Sequence, residues 1–322
     1  MNISQRSRGW HLVRGLLAVT VLAALGGVLA YVRYRQDMAA AEDRIAAGSK
    51  LAETPCGVIE YGERGTGQPV LALHGAGGGY DQGLLTTEAF GTGFRTIAPS
   101  RFGYLNSPVP TDGSVFAQAD AYACLLDYLG VDRVSVVAGS AGGPSALAFA
   151  LRHPDRVDAL VLVSAISTLR PIRDDSSGPS PAMLSDFVYW AAATYWPGAF
   201  LNVVGLTWEA QQQISSAEYD RMTAVVHAMM PMSRRIPGMN LDAVEQSQPE
   251  VEAMPLADIR VPTLVLHAVD DALIPIAQGQ HSAQNIPDAR WIPFERGGHF
   301  MFVLDSAVAE MRAFISEHGG PA

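Results

Sequence analysis

The stretch VSVVAGSAGGPSALAFALRHP, residues 134–154, constrains this chain more than any other. A β-branched apolar run passes within two residues into an Ala- and Leu-rich run that reads as a helix, with Ser140 at the junction. So tight a turn brings strand and helix backbones almost together and demands small neighbours, which Gly139, Ala141, Gly142 and Gly143 supply. It also strains the serine backbone and leaves the hydroxyl open, while the N–H groups opening the helix favour negative charge at the same spot.

The alternation continues along the body. Apolar, β-branched runs at 57–61, 70–74, 96–98, 134–139, 159–164, 263–268 and 290–293 read as strands, separated by helix-like stretches. That order predicts an α/β fold with a mostly parallel central sheet. Runs such as VLAL, ALVLV and TLVL are apolar without a break, as in strands covered by helices on both faces. Asp112 and Ser114 open one helix, Pro144 sits in the first turn of another, and a third runs over 303–317. Between residues 169 and 255 the strand pattern stops, and seven of the eleven methionines and three of the five tryptophans (Trp190, Trp196, Trp208) collect there. This predicts a helical cap inserted between two strands, its Met and Trp side chains either lining an apolar pocket or packing the insertion onto the body. The expected division is 53–168 and 256–322 for the two parts of the core and 169–255 for the cap.

Residues 1–35 hold five arginines and no acid, leaving 17 bases against 32 acids, or −15, for the remainder. A body so acidic repels phosphate backbones, and nucleic acid is not an expected partner. Residues 15–32 are uncharged and reach nearly across a ~30 Å hydrocarbon layer as a helix. A retained single-pass anchor is the expected reading, with a cleaved signal and a buried core helix as alternatives. Arginines flank both ends, so the positive-inside rule leans only slightly to a cytoplasmic N-terminus and a body outside the cytoplasm. Residues 36–52, Ala-rich and of mixed charge, read as a helical stalk or linker. Cys56 and Cys124 read as two ordinary thiols, and no cysteine or histidine spacing supports a metal.

Three further segments carry chemistry. Residues 70–74 run into Gly75-Ala76-Gly77-Gly78-Gly79, residues 263–268 lead into Asp270-Asp271, and Gly297-Gly298-His299 precedes the final helix. With Ala138-Gly139-Ser140-Ala141-Gly142 these resemble, in order and spacing, the lidded serine hydrolases of the α/β-hydrolase superfamily over about residues 57–317. One departure is that the first glycine of G-x-S-x-G is Ala138; another is Ser100, where the family commonly has an acid.

The resemblance implies a nucleophile at Ser140, an acid at Asp271 with Asp270 competing, and a base at His299, in the family's chain order. It implies oxyanion donors at the backbone of Ala76, with Gly77 as the register alternative, and of Ala141. No cofactor is implied. The expected reaction is ester or thioester cleavage of a largely apolar small substrate through an acyl-enzyme. Carbon–carbon bond hydrolysis, haloperoxidase-like chemistry and a non-catalytic binding protein remain as alternatives. A serine argues against the epoxide hydrolases and dehalogenases of this fold, which use a carboxylate.

Overall fold

A computed structural model describes residues 3–168, 185–245 and 248–320. The chain divides into two units, 1–44 and 45–322. The first is the larger part of helix α1 (Ile3–Gly48). Its stretch from Arg14 is long and apolar enough to cross a membrane by length and composition. Leu16, Leu17, Leu22, Val28 and Leu29 are exposed, and the stretch fits a membrane anchor or a signal sequence.

The second unit is built on eight strands: β1 (Lys50–Thr54), β2 (Gly57–Arg64), β3 (Gly67–Leu73), β4 (Gly93–Pro99), β5 (Val134–Gly139), β6 (Val157–Val163), β7 (Thr263–Ala268) and β8 (Arg290–Phe294). They form one sheet in the order β1-β2-β4-β3-β5-β6-β7-β8. β2 runs antiparallel to β1 and β4, and every pairing from β4 to β8 is parallel. All six residues of β7 and the first five of β5 are buried. Successive side chains point to opposite faces, so burial of both parities means both faces of these strands are covered.

The helices of the core are α2 (Tyr80–Thr86), α3 (Val115–Tyr128), α4 (Gly143–Arg152), α11 (Ala277–Asn285) and α12 (Asp305–His318). Ser114 caps α3 by accepting from the Ala117 N–H, and Asp112 accepts from Ser114, the start expected from sequence. Tyr122, Leu125, Leu126, Leu147 and Phe149 from α3 and α4 join strand residues such as Val136 and Leu160 in the largest apolar core. Each such side chain contributes on the order of 1.5–3 kcal/mol by leaving water.

Between β6 and β7 lies the insertion: α5 (Asp186–Tyr195), α6 (Pro197–Val203), α7 (Trp208–Gln211), α8 (Ser216–Ala228), α9 (Ile236–Glu245) and α10 (Pro249–Glu252). Trp190 and Met222 are fully buried and serve packing, whereas Trp196 and Trp208 are exposed. Met183 lies outside the described residues.

Of the stretch 36–52, read as a helical stalk or linker, the part to Gly48 is helical, as the continuation of α1, and Lys50 begins edge strand β1, which the sequence reading did not expect. Only Ala52 of KLAET is buried, so this strand lacks the alternating apolar signal that reveals most strands. The thiols are also not free: Cys56 and Cys124 form a disulfide with Cα atoms 6.1 Å apart, tying the β1–β2 turn to α3. Sixty-eight residues separate them, and no local pattern announces a proximity that the fold creates.

Candidate active site

The C-terminal ends of the parallel strands carry every loop of interest, as is usual in sheets of this type. β5 ends at Gly139, and Ser140 follows with φ +49°, a left-handed conformation that a side chain disfavours. The reason it persists is crowding on both sides. A Cβ on Gly142 would stand 2.8 Å from the His74 carbonyl oxygen, and one on Gly143 2.2 Å from that of Ile166. Ser140 is half-buried, and its carbonyl accepts from the Ile166 N–H at 3.0 Å.

Beyond the C-terminal end of β7, the two adjacent acids divide their work. Asp271 Oδ2 faces His299 Nδ1 at 2.9 Å, and its Oδ1 accepts from the N–H groups of Leu273 and Ile274 at 2.9 and 2.8 Å. Its side chain is wholly buried, and burial opposes ionisation. The charge of His299, its hydrogen bond and the two backbone donors outweigh that and hold the carboxyl below its usual range. Asp270 instead accepts from the Gly298 N–H at 2.8 Å, fixing the backbone one residue before His299. A carboxylate bonded to an imidazole in this way sets its tautomer and leaves Nε2 to accept a proton. The second imidazole here, His267, bonds the Ile274 carbonyl through Nε2 at 2.9 Å, and burial holds its pKa down.

The glycine-rich loop after β3 lies against the elbow: a Cβ on Gly75 would be 3.1 Å from that of Ser140. Gly78 N–H closes a turn onto the Gly75 carbonyl at 3.2 Å, with Ala76 and Gly77 between and Gly77 at φ +69°. Gly75 N–H donates to Gln82 Oε1 at 3.0 Å. Burial pushes the Tyr104 phenol up, and the Gly77 amide partly offsets that rise. His74 donates from Nδ1 to the Gly75 carbonyl at 2.7 Å and accepts from the Arg101 N–H at Nε2, a neutral ring kept so by burial and by Arg101.

Ala141, Ile166 and Ile274 form one buried apolar cluster, joining the residue after Ser140 to the loop that carries Asp271. The insertion closes over the same loops. Gly205, at φ +100°, accepts from the His299 N–H at 3.0 Å, and a Cβ there would meet that of His299 at 2.8 Å.

Several residues escaped the sequence reading. Arg101 makes a buried bidentate pair with Asp242 of α9, and Arg235 makes another with Asp81 of α2. Nothing local distinguishes these arginines from solvated ones. The departure at Ser100 also has a resolution: its hydroxyl donates to Glu60 Oε2 at 2.7 Å, so the neighbouring strand β2 brings a carboxylate to the place where the family commonly carries its own.

Fold and strand-end loops together define a hydrolase of the α/β class. The family model described as the alpha/beta hydrolase fold matches residues 68–306, and the chain belongs to that family. It is 28% identical over 271 residues to the 2-hydroxymuconate semialdehyde hydrolase of Pseudomonas putida, covering 79% of this chain and 92% of that protein. It is 26% identical to the uncharacterized hydrolase YcgS of Bacillus subtilis (strain 168), over 77% and 90% of the two chains. Among solved structures, an alpha/beta hydrolase fold protein from Nakamurella multipartita superposes with TM-score 0.74 at 26% identity, over 84% of this chain and 98% of that one.

Proposed function

We propose that the chain is a membrane-anchored serine hydrolase that cleaves an ester or thioester of a largely apolar substrate. Ser140 is the nucleophile, His299 the base and Asp271 the acid, and the backbone N–H groups of Ala76 and Ala141 receive the oxyanion. The observation that carries this reading is a strained, half-buried serine after the C-terminal end of β5, at the same end of the parallel sheet as the buried carboxylate–imidazole pair whose acid follows β7.

Attack of Oγ on the carbonyl passes its proton to His299 Nε2, which returns it to the leaving group. Water, activated by the same nitrogen, then releases the acid and frees Ser140. An apolar acyl group suits the surroundings, since Ile166 and Ile274 cluster with Ala141, and Met229 and Met232 of the insertion approach Gly77. The exposed apolar stretch of α1 supports the anchor.

A second reading, hydrolysis of a carbon–carbon bond in a diketone-like substrate, is favoured by the likeness to the Pseudomonas putida enzyme, whose name assigns it a semialdehyde substrate. A ladder of aryl esters of increasing acyl length, assayed beside a vinylogous diketone, separates the two. Ser140→Ala is expected to lower ester turnover by at least about 10⁴-fold with the fold intact. Turnover near the unsubstituted rate, or failure of a fluorophosphonate to label Ser140, refutes the nucleophile assignment.

A further inference from the structure

We propose that Arg235 is a positioning residue through which the helical insertion sets the first oxyanion donor. The inference rests on the reading of Ala76 given above and assigns that donor a control from outside the core. Arg235 is fully buried immediately before α9, in a part of the chain remote in sequence from the glycine-rich loop. One guanidinium nitrogen donates to the Gly78 carbonyl at 2.6 Å and to Asp81 Oδ1 at 3.1 Å; the other donates to Asp81 Oδ2 at 2.8 Å and to the Ala228 carbonyl.

Gly78 is the closing residue of the turn that contains Ala76. The opening residue, Gly75, is held by Gln82 of the core, so the two ends of the turn are gripped from different parts of the molecule. The direction of the Ala76 N–H follows from where those two ends are fixed. A planar fork gripping a carbonyl and a carboxylate together gives a rigidity that a point-charge ammonium does not.

Stability alone is a weak reason to keep this group. A buried ion pair can often be replaced by apolar residues at no loss, and Arg235 Nε has no hydrogen-bond partner among the described residues, a cost the site tolerates. What the charge secures is the position of a backbone amide, and a displacement of about 1 Å in such a group is worth on the order of 10²-fold in rate.

The test uses the full chain with Arg235→Lys and, as a second variant, the isosteric Asp81→Asn, each assayed on an aryl ester with active sites counted by burst titration. Arg235→Lys is expected to lower kcat per titrated site about 10–100-fold with KM within about threefold, and to slow fluorophosphonate labelling in parallel. Asp81→Asn is expected to lower kcat at least about fivefold and decides the question if the lysine variant does not fold. A merely structural role lowers the titrated fraction and the melting temperature but leaves kcat per site unchanged. That result in the folded variants, or a loss confined to KM, overturns the inference. Ser140→Ala assayed alongside separates the two levels. An inert Ser140→Ala with unimpaired Arg235→Lys and Asp81→Asn defeats only the Arg235 assignment, whereas a fully active Ser140→Ala defeats the reading beneath it.

Discussion

Asp270 and Asp271 are neighbours of identical chemistry, and geometry alone separates them. Asp271 orients the His299 ring and Asp270 orients the backbone beside it. Asp271→Asn is therefore expected to cost about 10³–10⁴-fold in kcat on an ester substrate, as when a triad carboxylate is neutralised, and Asp270→Asn far less. The opposite ranking in steady-state assays would exchange their roles. Asp271 also contributes to stability with a definite pH dependence. Its folded-state pKa lies below the ordinary aspartate value of 3.8, so the contribution is fully present above about 3.8 and is lost as pH falls through the depressed folded value. Melting curves from pH 7 down to pH 3 are expected to show a smaller acid loss in Asp271→Asn than in the unsubstituted chain. The two acids were legible as a pair of alternatives; their separate partners were not, because both hydrogen bonds reach residues 28 positions away.

At the level of elements, the β5–α4 junction was legible in detail because its constraints are local. Its glycines follow from backbone approach, and Gly143 leaves least room: an added methyl group would stand 2.2 Å from a carbonyl oxygen. Gly143→Ala is expected to destabilise the protein by about 1–3 kcal/mol and to reduce fluorophosphonate labelling of Ser140, measured by denaturant melts and by labelling rate. Unchanged values of both would show that the elbow has slack. β1 was missed for the converse reason, since an edge strand that buries one residue leaves almost no pattern to read. The insertion was recognised by its lack of strands. Its grip on the loops, through Gly205, Asp242 and Arg235, depends on interactions spanning about 100 residues or more for which sequence periodicity carries no information.

At the level of the whole molecule, the Cys56–Cys124 bridge bears on where the body resides. A structural disulfide persists in oxidising surroundings, and the expectation of a body outside the cytoplasm, drawn from the arginines around residues 15–32, predicts that it forms in the organism. Cys56→Ser with Cys124→Ser is expected to lower stability by about 2–4 kcal/mol with little change in kcat per site. In the organism, thiol-alkylation shift assays are expected to find both cysteines blocked until reduced. Free thiols in freshly lysed cells would argue for a cytoplasmic body.

By itself the sequence determined the α/β class, the order of nearly all strands along the chain, the elbow at Ser140 and the apolar N-terminal helix, because hydrophobic period and turn chemistry act over a few residues. Tertiary structure decided the spatial order of the strands, the disulfide, which acid meets His299, and the arginine grip on the glycine-rich loop. Those depend on distances between segments far apart in the chain, and such distances exist only after the sheet has assembled and the insertion has closed over its edge.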